Sequence, residues 1–273
     1  MKQILTLVIL ASSLMSFAQE TSKVNQKLDN TGNSEEYSVL KSDKKTRHGS
    51  YRKFGYKNRL VEKGFYRNGA LDSTWTEYFN QGHFVKSVGW YSDGKKTGLW
   101  TEFYLIGKEY TIRSKGHFLN GQRVGIWEYF DPSNVLTQRF DHDSRELLYF
   151  KSDDLGPGET LVRFGKDEHL VKLERPPMYI GGEDAAGQEM MLAKLKYPLA
   201  AIDQGISGVV LISLFVDENG HAFDHRIQEG IGEGCDEEAL RAVKAVPDNW
   251  LPGILDNSPV TSQYLFPVSF TLR

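Results

Sequence analysis

Between His48 and Phe150, aromatic and β-branched residues alternate with polar ones in short runs such as Ser73 to Phe79 and His83 to Tyr91. That two-residue period is the mark of strands with one buried face. The runs recur. Gly64-Phe65-Tyr66-Arg67-Asn68-Gly69 is followed six residues after its last glycine by Trp75; Gly89-Trp90-Tyr91-Ser92-Asp93-Gly94 leads likewise to Trp100, and Gly116-His117-Phe118-Leu119-Asn120-Gly121 to Trp127. A degenerate earlier copy, Gly49-Ser50-Tyr51-Arg52-Lys53-Phe54, puts Tyr51 in the tryptophan's place. Asn-Gly and Asp-Gly dipeptides tolerate positive φ at both centres of a tight turn, so each copy predicts a hairpin. Asn80-Gln81-Gly82 predicts a turn between copies. A lone hairpin cannot bury its aromatic face, so the copies are expected to stack into one elongated twisted sheet of about eight strands.

Other periods mark the flanks. Residues 19–45 are polar, hold Tyr37 as their one aromatic, and show no period; they predict a flexible lead-in. Over residues 151–175, Gly156-Pro157-Gly158 and two short apolar runs, Leu161 to Phe164 and Leu170 to Leu173, predict a linker hairpin closed by Pro176-Pro177. Beyond it come a helix from Glu183 to Leu195, a short one over Leu199 to Gln204, and an apolar strand from Gly208 to Val216. An Asp217-Glu218-Asn219-Gly220 turn, a return strand from Ala222 to Gln228 and a helix from Asp236 to Val246 follow. The last strand, Tyr264 to Leu272, contains Pro267, which argues for an edge or a bulge. The fold class expected is therefore multidomain: an all-β hairpin-repeat sheet over 46–150, then a small α+β domain with an antiparallel sheet and two helices over 176–273.

Charge divides the chain at the same place. The total is -3, but residues 41–150 carry 19 basic and 12 acidic side chains, a net of +7, and residues 151–273 carry 11 and 20, a net of -9. The total excludes a general nucleic-acid binder. The basic excess of the repeats reads first as a solvated face and second as a site for an anionic envelope polymer. A single cysteine, Cys235, excludes an internal disulfide and a Cys-based zinc site. At the N-terminus, Lys2, an apolar run from Ile4 to Ala18 and the Ser16-Phe17-Ala18 ending read as a cleaved signal peptide over residues 1–18, too short for a membrane span. The expected location is the periplasm, with association to the outer membrane as a further expectation.

The repeat, most clearly Lys95-Lys96-Thr97-Gly98-Leu99-Trp100-Thr101-Glu102-Phe103-Tyr104, resembles the bacterial MORN-type repeat family, departing from it at Ser73 and at Trp127-Glu128-Tyr129-Phe130. That resemblance implies a scaffold without chemistry. Pro177 to Gly182, Tyr197-Pro198, Gly205 to Val210, Val216 to Gly220, Gly234 to Leu240, Trp250-Leu251-Pro252-Gly253 and Pro259 through Phe270 together resemble the C-terminal domain of the TonB family. The resemblance implies an open strand, Tyr264, Leu265, Phe266, Val268, Ser269, Phe270 and Leu272, supported by Tyr197 and Pro198. To it an extended peptide such as the TonB box of an outer-membrane receptor adds by strand pairing. An energy transducer of that family also carries a transmembrane helix and a proline-rich spacer. Here no proline precedes Pro132 and the hairpins stand where the spacer is expected. The expected function is thus a non-enzymatic envelope interaction protein, with a membrane-anchored transducer as the alternative if the N-terminus stays uncleaved.

Sites of chemistry are not expected, and neither cofactor nor metal is. Gly230-x-Gly232-x-Gly234 precedes Asp236, Glu237 and Glu238, which repel a phosphate. Cys235 lacks a base and reads as a packing residue, and His221 and His225 stand in a turn and a strand, where a spacing of four does not converge. Trp75, Trp90, Trp100 and Trp127 are expected to be sheet core, with a glycan-stacking strip as the alternative.

Overall fold

A computed structural model describes residues 19–29, 32–80, 82–151 and 159–272. The chain divides into two compact units, Met1–Gly98 and Leu99–Arg273. The predicted signal peptide, Gln81 and Gly156-Pro157-Gly158 lie outside the described residues.

In the first unit, six strands follow one another in antiparallel order: β1 (Thr21–Lys27), β2 (Ser34–Leu40), β3 (Arg47–Gly55), β4 (Arg59–Arg67), β5 (Ala70–Tyr78) and β6 (Val85–Ser92). The first two correct the expectation of a flexible lead-in. Strand β2 joins β3 through charge and aromatic contacts, which hydrophobic alternation does not register. The Arg47 guanidinium lies 4.5 Å from the Tyr37 ring centre and 5.3 Å from that of Tyr51. It also pairs with Glu35 at 2.6 Å, and the Tyr51 hydroxyl donates to the same carboxylate at 2.8 Å.

The turns form as predicted. Asn68 and Gly69 have φ of 49° and 86°, and Asp93 and Gly94 have 47° and 78°. The opening glycines Gly64 and Gly116 have a steric role that spacing does not reveal. A Cβ on Gly64 would sit 2.1 Å from the Trp75 ring, because the indole of one strand lies flat over the glycine of its neighbour. Trp75 also stacks on Tyr51 at 5.3 Å and 17°.

In the second unit the strands again follow in antiparallel order: β7 (Lys95–Ile106, within which the division falls), β8 (Glu109–Leu119), β9 (Gln122–Phe130), β10 (Leu136–Asp141) and β11 (Glu146–Phe150). The stretch 46–150 thus holds nine strands where about eight were expected. Asn120 and Gly121, with φ of 52° and 87°, close the third predicted hairpin. Gly116 and Trp127 repeat the glycine and indole pairing, at 2.4 Å for an added Cβ.

The rest of the second unit comprises β12 (Thr160–Phe164), β13 (Asp167–Val171), β14 (Met178–Tyr179), α1 (Gly182–Leu192), α2 (Leu199–Asp203), β15 (Gly208–Val216), β16 (Ala222–Glu229), α3 (Cys235–Lys244), β17 (Trp250–Leu251), β18 (Gly253–Leu255), β19 (Ser258–Val260) and β20 (Ser262–Phe270). Helix α1 ends three residues before the predicted Leu195, and the short helix expected over Leu199 to Gln204, additional to the two main helices, is α2. The sheet order β13-β12-β20-β15-β16 corrects the linker reading of 151–175, because its hairpin is part of the C-terminal sheet.

Strand β15 pairs with β20 from Gly208↔Phe270 to Val216↔Ser262 without a register shift. Its Val210, Ile212, Leu214 and Val216 meet Phe266, Val268 and Phe270 of β20, Ala239 and Val243 of α3, and Trp250 in one core. Each fully buried large side chain contributes about 1.5–3 kcal/mol. Cys235 is buried in this core, and burial, with Asp236 next, pushes its thiol up; it is the packing residue expected. Asp236 itself accepts from the Ile231 and Gly232 amides at 2.8 and 3.1 Å, which occupies the glycine loop with a carboxylate.

Candidate peptide-binding edge

Strand β20 has two neighbours rather than one. Along its whole length it pairs with β15; on the other side β12 meets it at Val162↔Ser262. The residues expected to form a bare edge therefore begin beside a strand of their own chain. That contact also reveals which way the remaining backbone groups point. Alternate residues of a strand address alternate neighbours. Since the Thr261 carbonyl accepts from the Arg163 amide of β12 at 2.9 Å, the odd-numbered positions Gln263, Leu265, Pro267 and Ser269 direct their backbone groups away from β15. Pro267 lacks an N–H, and its odd position costs the β15 ladder no donor. Among the described residues, no strand pairs with this side of β20 beyond Ser262. The amides of Leu265 and Ser269 and the carbonyls from Gln263 to Ser269 make up the open stretch.

Side chains follow the same alternation. Phe266, Val268 and Phe270 face the core, while Leu265 is 45% exposed. Leu272 lies beyond the strand's end, where its amide donates to Ser207 Oγ at 3.4 Å. Tyr264 packs against Trp250 with ring centres 4.8 Å apart and donates to Glu183 at 2.9 Å; burial pushes its hydroxyl well up. Tyr197 sets its ring edge-on to Phe270 at 5.4 Å and donates to the Ile206 carbonyl, and Pro198 caps the start of α2. The pair supports the far end of β20 without lying on the open side.

Two hollows run beside that open side. The larger, about 820 Å³, is lined by Gln263, Tyr264 and Leu265 of β20, by Pro177 and Met178, and by Phe130 of β9. The smaller, about 370 Å³, runs between Gly187 and Met190 of α1 and Phe266 and Pro267 of β20. Glu183, Asp184 and Tyr264 line both.

The wall of the larger hollow is held by a contact that sequence reading missed. Gln138 of β10 donates from Nε2 to the Tyr179 carbonyl at 3.1 Å, and its Oε1 accepts from the Gly181 amide at 2.8 Å. Tyr104 of β7 adds a bond to Asp184 at 2.6 Å. A polar residue at an inward strand position is the one signal that points to Gln138.

The repeat aromatics divide. Trp75, Trp100 and Trp127 are buried, whereas Trp90 is 53% exposed, so the four do not form one open strip. Among the described residues no three His, Cys, Asp or Glu side chains converge as a metal site. His221 instead meets Asp217 at 3.1 Å. Among them, too, no helix is long and apolar enough to cross a membrane.

Residues 193–272 match the family model of the Gram-negative bacterial TonB protein C-terminal region. A stretch of 79 residues is 32% identical to Protein TonB of Vibrio cholerae serotype O1, covering 29% of this chain and 32% of that protein. The chain spans about a third of that relative's length. The solution structure of the Helicobacter pylori TonB C-terminal domain aligns with 34% of this chain and 84% of that one, at 23% identity and a TM-score of 0.27. The family supported for this part of the chain is thus the TonB C-terminal family.

Proposed function

We propose that residues 176–273 bind an extended segment of an envelope protein by strand addition to the outer side of β20, and that the MORN-like hairpins of residues 46–150 serve as a scaffold. The observation that carries this reading is the open run of backbone groups from Gln263 to Ser269, beside a groove deep enough for side chains. An unpaired strand edge is a template for a further strand, with alternate side chains setting specificity. The similarity to the TonB C-terminal family supports the same conclusion, and with it the TonB box of an outer-membrane receptor as the partner. In this reading the protein is exported, its first 18 residues are removed, it works in the periplasm or at the outer membrane, and it needs no cofactor. The basic repeats are a second surface, open to an anionic envelope polymer.

Photo-crosslinking from position 265 in cells, compared with position 212 in the core, tests the site. Capture of a receptor from 265 alone is expected; equal labelling from both positions overturns the reading. The likeness to Protein TonB favours one other reading, a membrane-anchored energy transducer. Mass spectrometry of the mature N-terminus separates the two, because the transducer keeps Met1 to Ala18.

A further inference from the structure

The two hollows meet at Glu183 and Asp184, both in the first turn of α1. Their hydrogen-bond donors are phenols: Tyr264 reaches Glu183 at 2.9 Å and Tyr104 reaches Asp184 at 2.6 Å. A phenol stabilises a carboxylate without cancelling its charge. Elsewhere in the larger hollow, Asp131 faces Lys151 at 3.8 Å, and Glu159 and Lys172 carry opposite signs. Among the described residues no lysine or arginine forms an ion pair with either, so two carboxylates stand together where the hollows meet. Acidic residues in a first turn favour the helix dipole, which accounts for their place on α1. It does not account for both lining a hollow beside unpaired backbone.

The path of a guest along this groove is restricted at one end. Val162 is fully buried, and Arg163 binds Glu168 at 2.6 Å and Asp224 at 2.8 Å with its guanidinium 3.8 Å from the Phe215 ring centre. Strand β12 is thus anchored. A guest paired with Ser269 and Leu265 meets β12 ahead of it and leaves the ladder there, beside the larger hollow that Gln263, Tyr264 and Leu265 line together with Glu183 and Asp184.

We propose that this groove selects an extended segment carrying a lysine or arginine at the point where it leaves β20. The aliphatic stem of such a residue lies against Pro177 and Met178 while its charged end reaches the two carboxylates. The inference rests on the strand-addition reading above.

The test uses the full chain and capped peptides of alternating threonine and valine, roughly eight residues long, with lysine, norleucine or glutamate substituted at each position in turn, followed by calorimetric titration. Lysine is expected to bind about fivefold more tightly than norleucine near one end of the peptide, and glutamate more weakly. The gain is expected to shrink as NaCl is raised from about 0.05 to about 0.5 M. It should vanish in an E183Q/D184N variant that still binds the norleucine peptide. Equal affinity for lysine and norleucine peptides at every position, or a lysine gain insensitive to salt, overturns the charge selection and leaves strand addition standing. Failure of all three peptide series to bind overturns both.

Discussion

The side-chain amide of Gln138 bonds to the backbone of the Pro177–Gly182 segment as a strand neighbour does, giving its N–H to the Tyr179 carbonyl and taking the Gly181 amide in return. One side chain thereby ties β10 to the start of α1. The same segment forms a wall of the groove beside β20, so the last hairpins and the open side of β20 share a support.

Removing that support is expected to cost stability. Gln138→Ala leaves a buried carbonyl and amide without partners, each worth about 1–3 kcal/mol when orphaned. Urea unfolding should show a lower midpoint, corresponding to a loss of about 2–4 kcal/mol in unfolding free energy. An unchanged midpoint would mean that water replaces the amide at no cost.

The direction of the β20 backbone can be tested with proline. Ser269→Pro removes an outward N–H, so the variant should fold with stability lowered by less than about 1 kcal/mol and lose peptide binding. Val268→Pro removes an inward N–H from the β15 ladder and should cost about 3 kcal/mol or more. Circular dichroism melts with parallel binding assays separate the two. The reverse order of damage would invert the assignment of odd and even positions.

Stability should depend on pH through His142. Its ring sits edge-on to Phe140 at 4.9 Å, with Tyr129 Oη 3.1 Å from Nε2. Burial, followed by the positive charges of Arg123 and Arg145, pushes its pKa down to about 4, against weaker opposition from Asp141 and Asp143. The folded state therefore holds this ring neutral where the unfolded chain takes up a proton. The contribution is complete above pH 6.5, declines as pH falls from there to about 4, and is constant below. Allowing for the part of the ring that solvent screens, it amounts to about 1–2 kcal/mol. His142→Gln should flatten that part of the stability curve; an identical slope in the variant would assign it to other groups.

At the head of two repeats, Gly64 and Gly116, glycine is a steric requirement. Gly116→Ala places a methyl 2.4 Å from Trp127 and should destabilise the second unit by about 2–3 kcal/mol. Gly125→Ala meets nothing within 4 Å and bears only the strain of its positive φ of 58°, about 1 kcal/mol. Equal losses at the two sites would show that backbone conformation, rather than the indole, is what glycine serves.

What local chemistry specifies was readable along the chain. Asn68-Gly69, Asp93-Gly94 and Asn120-Gly121 each place two positive φ angles side by side, so their hairpins follow from a dipeptide. Strand β15 spans the predicted residues Gly208 to Val216, because an apolar run ended by an Asn-Gly turn has few alternatives. Helix α3 has its acidic first turn and basic last turn for the same local reason.

The partners of those elements were decided only in the folded chain. Strand β2 is held to β3 where Glu35, Tyr37, Arg47 and Tyr51 come together, and a mixed charged and aromatic cluster leaves no hydrophobic period to read. Val162 meets Ser262 across most of the C-terminal domain, and nothing near either residue announces the pairing. It is that pairing that covers the Ser262 end of β20 and leaves the rest of its outer side open. Turn geometry and periodicity act between neighbours in sequence, whereas the free side of a strand depends on which distant segment gains most by being buried against it.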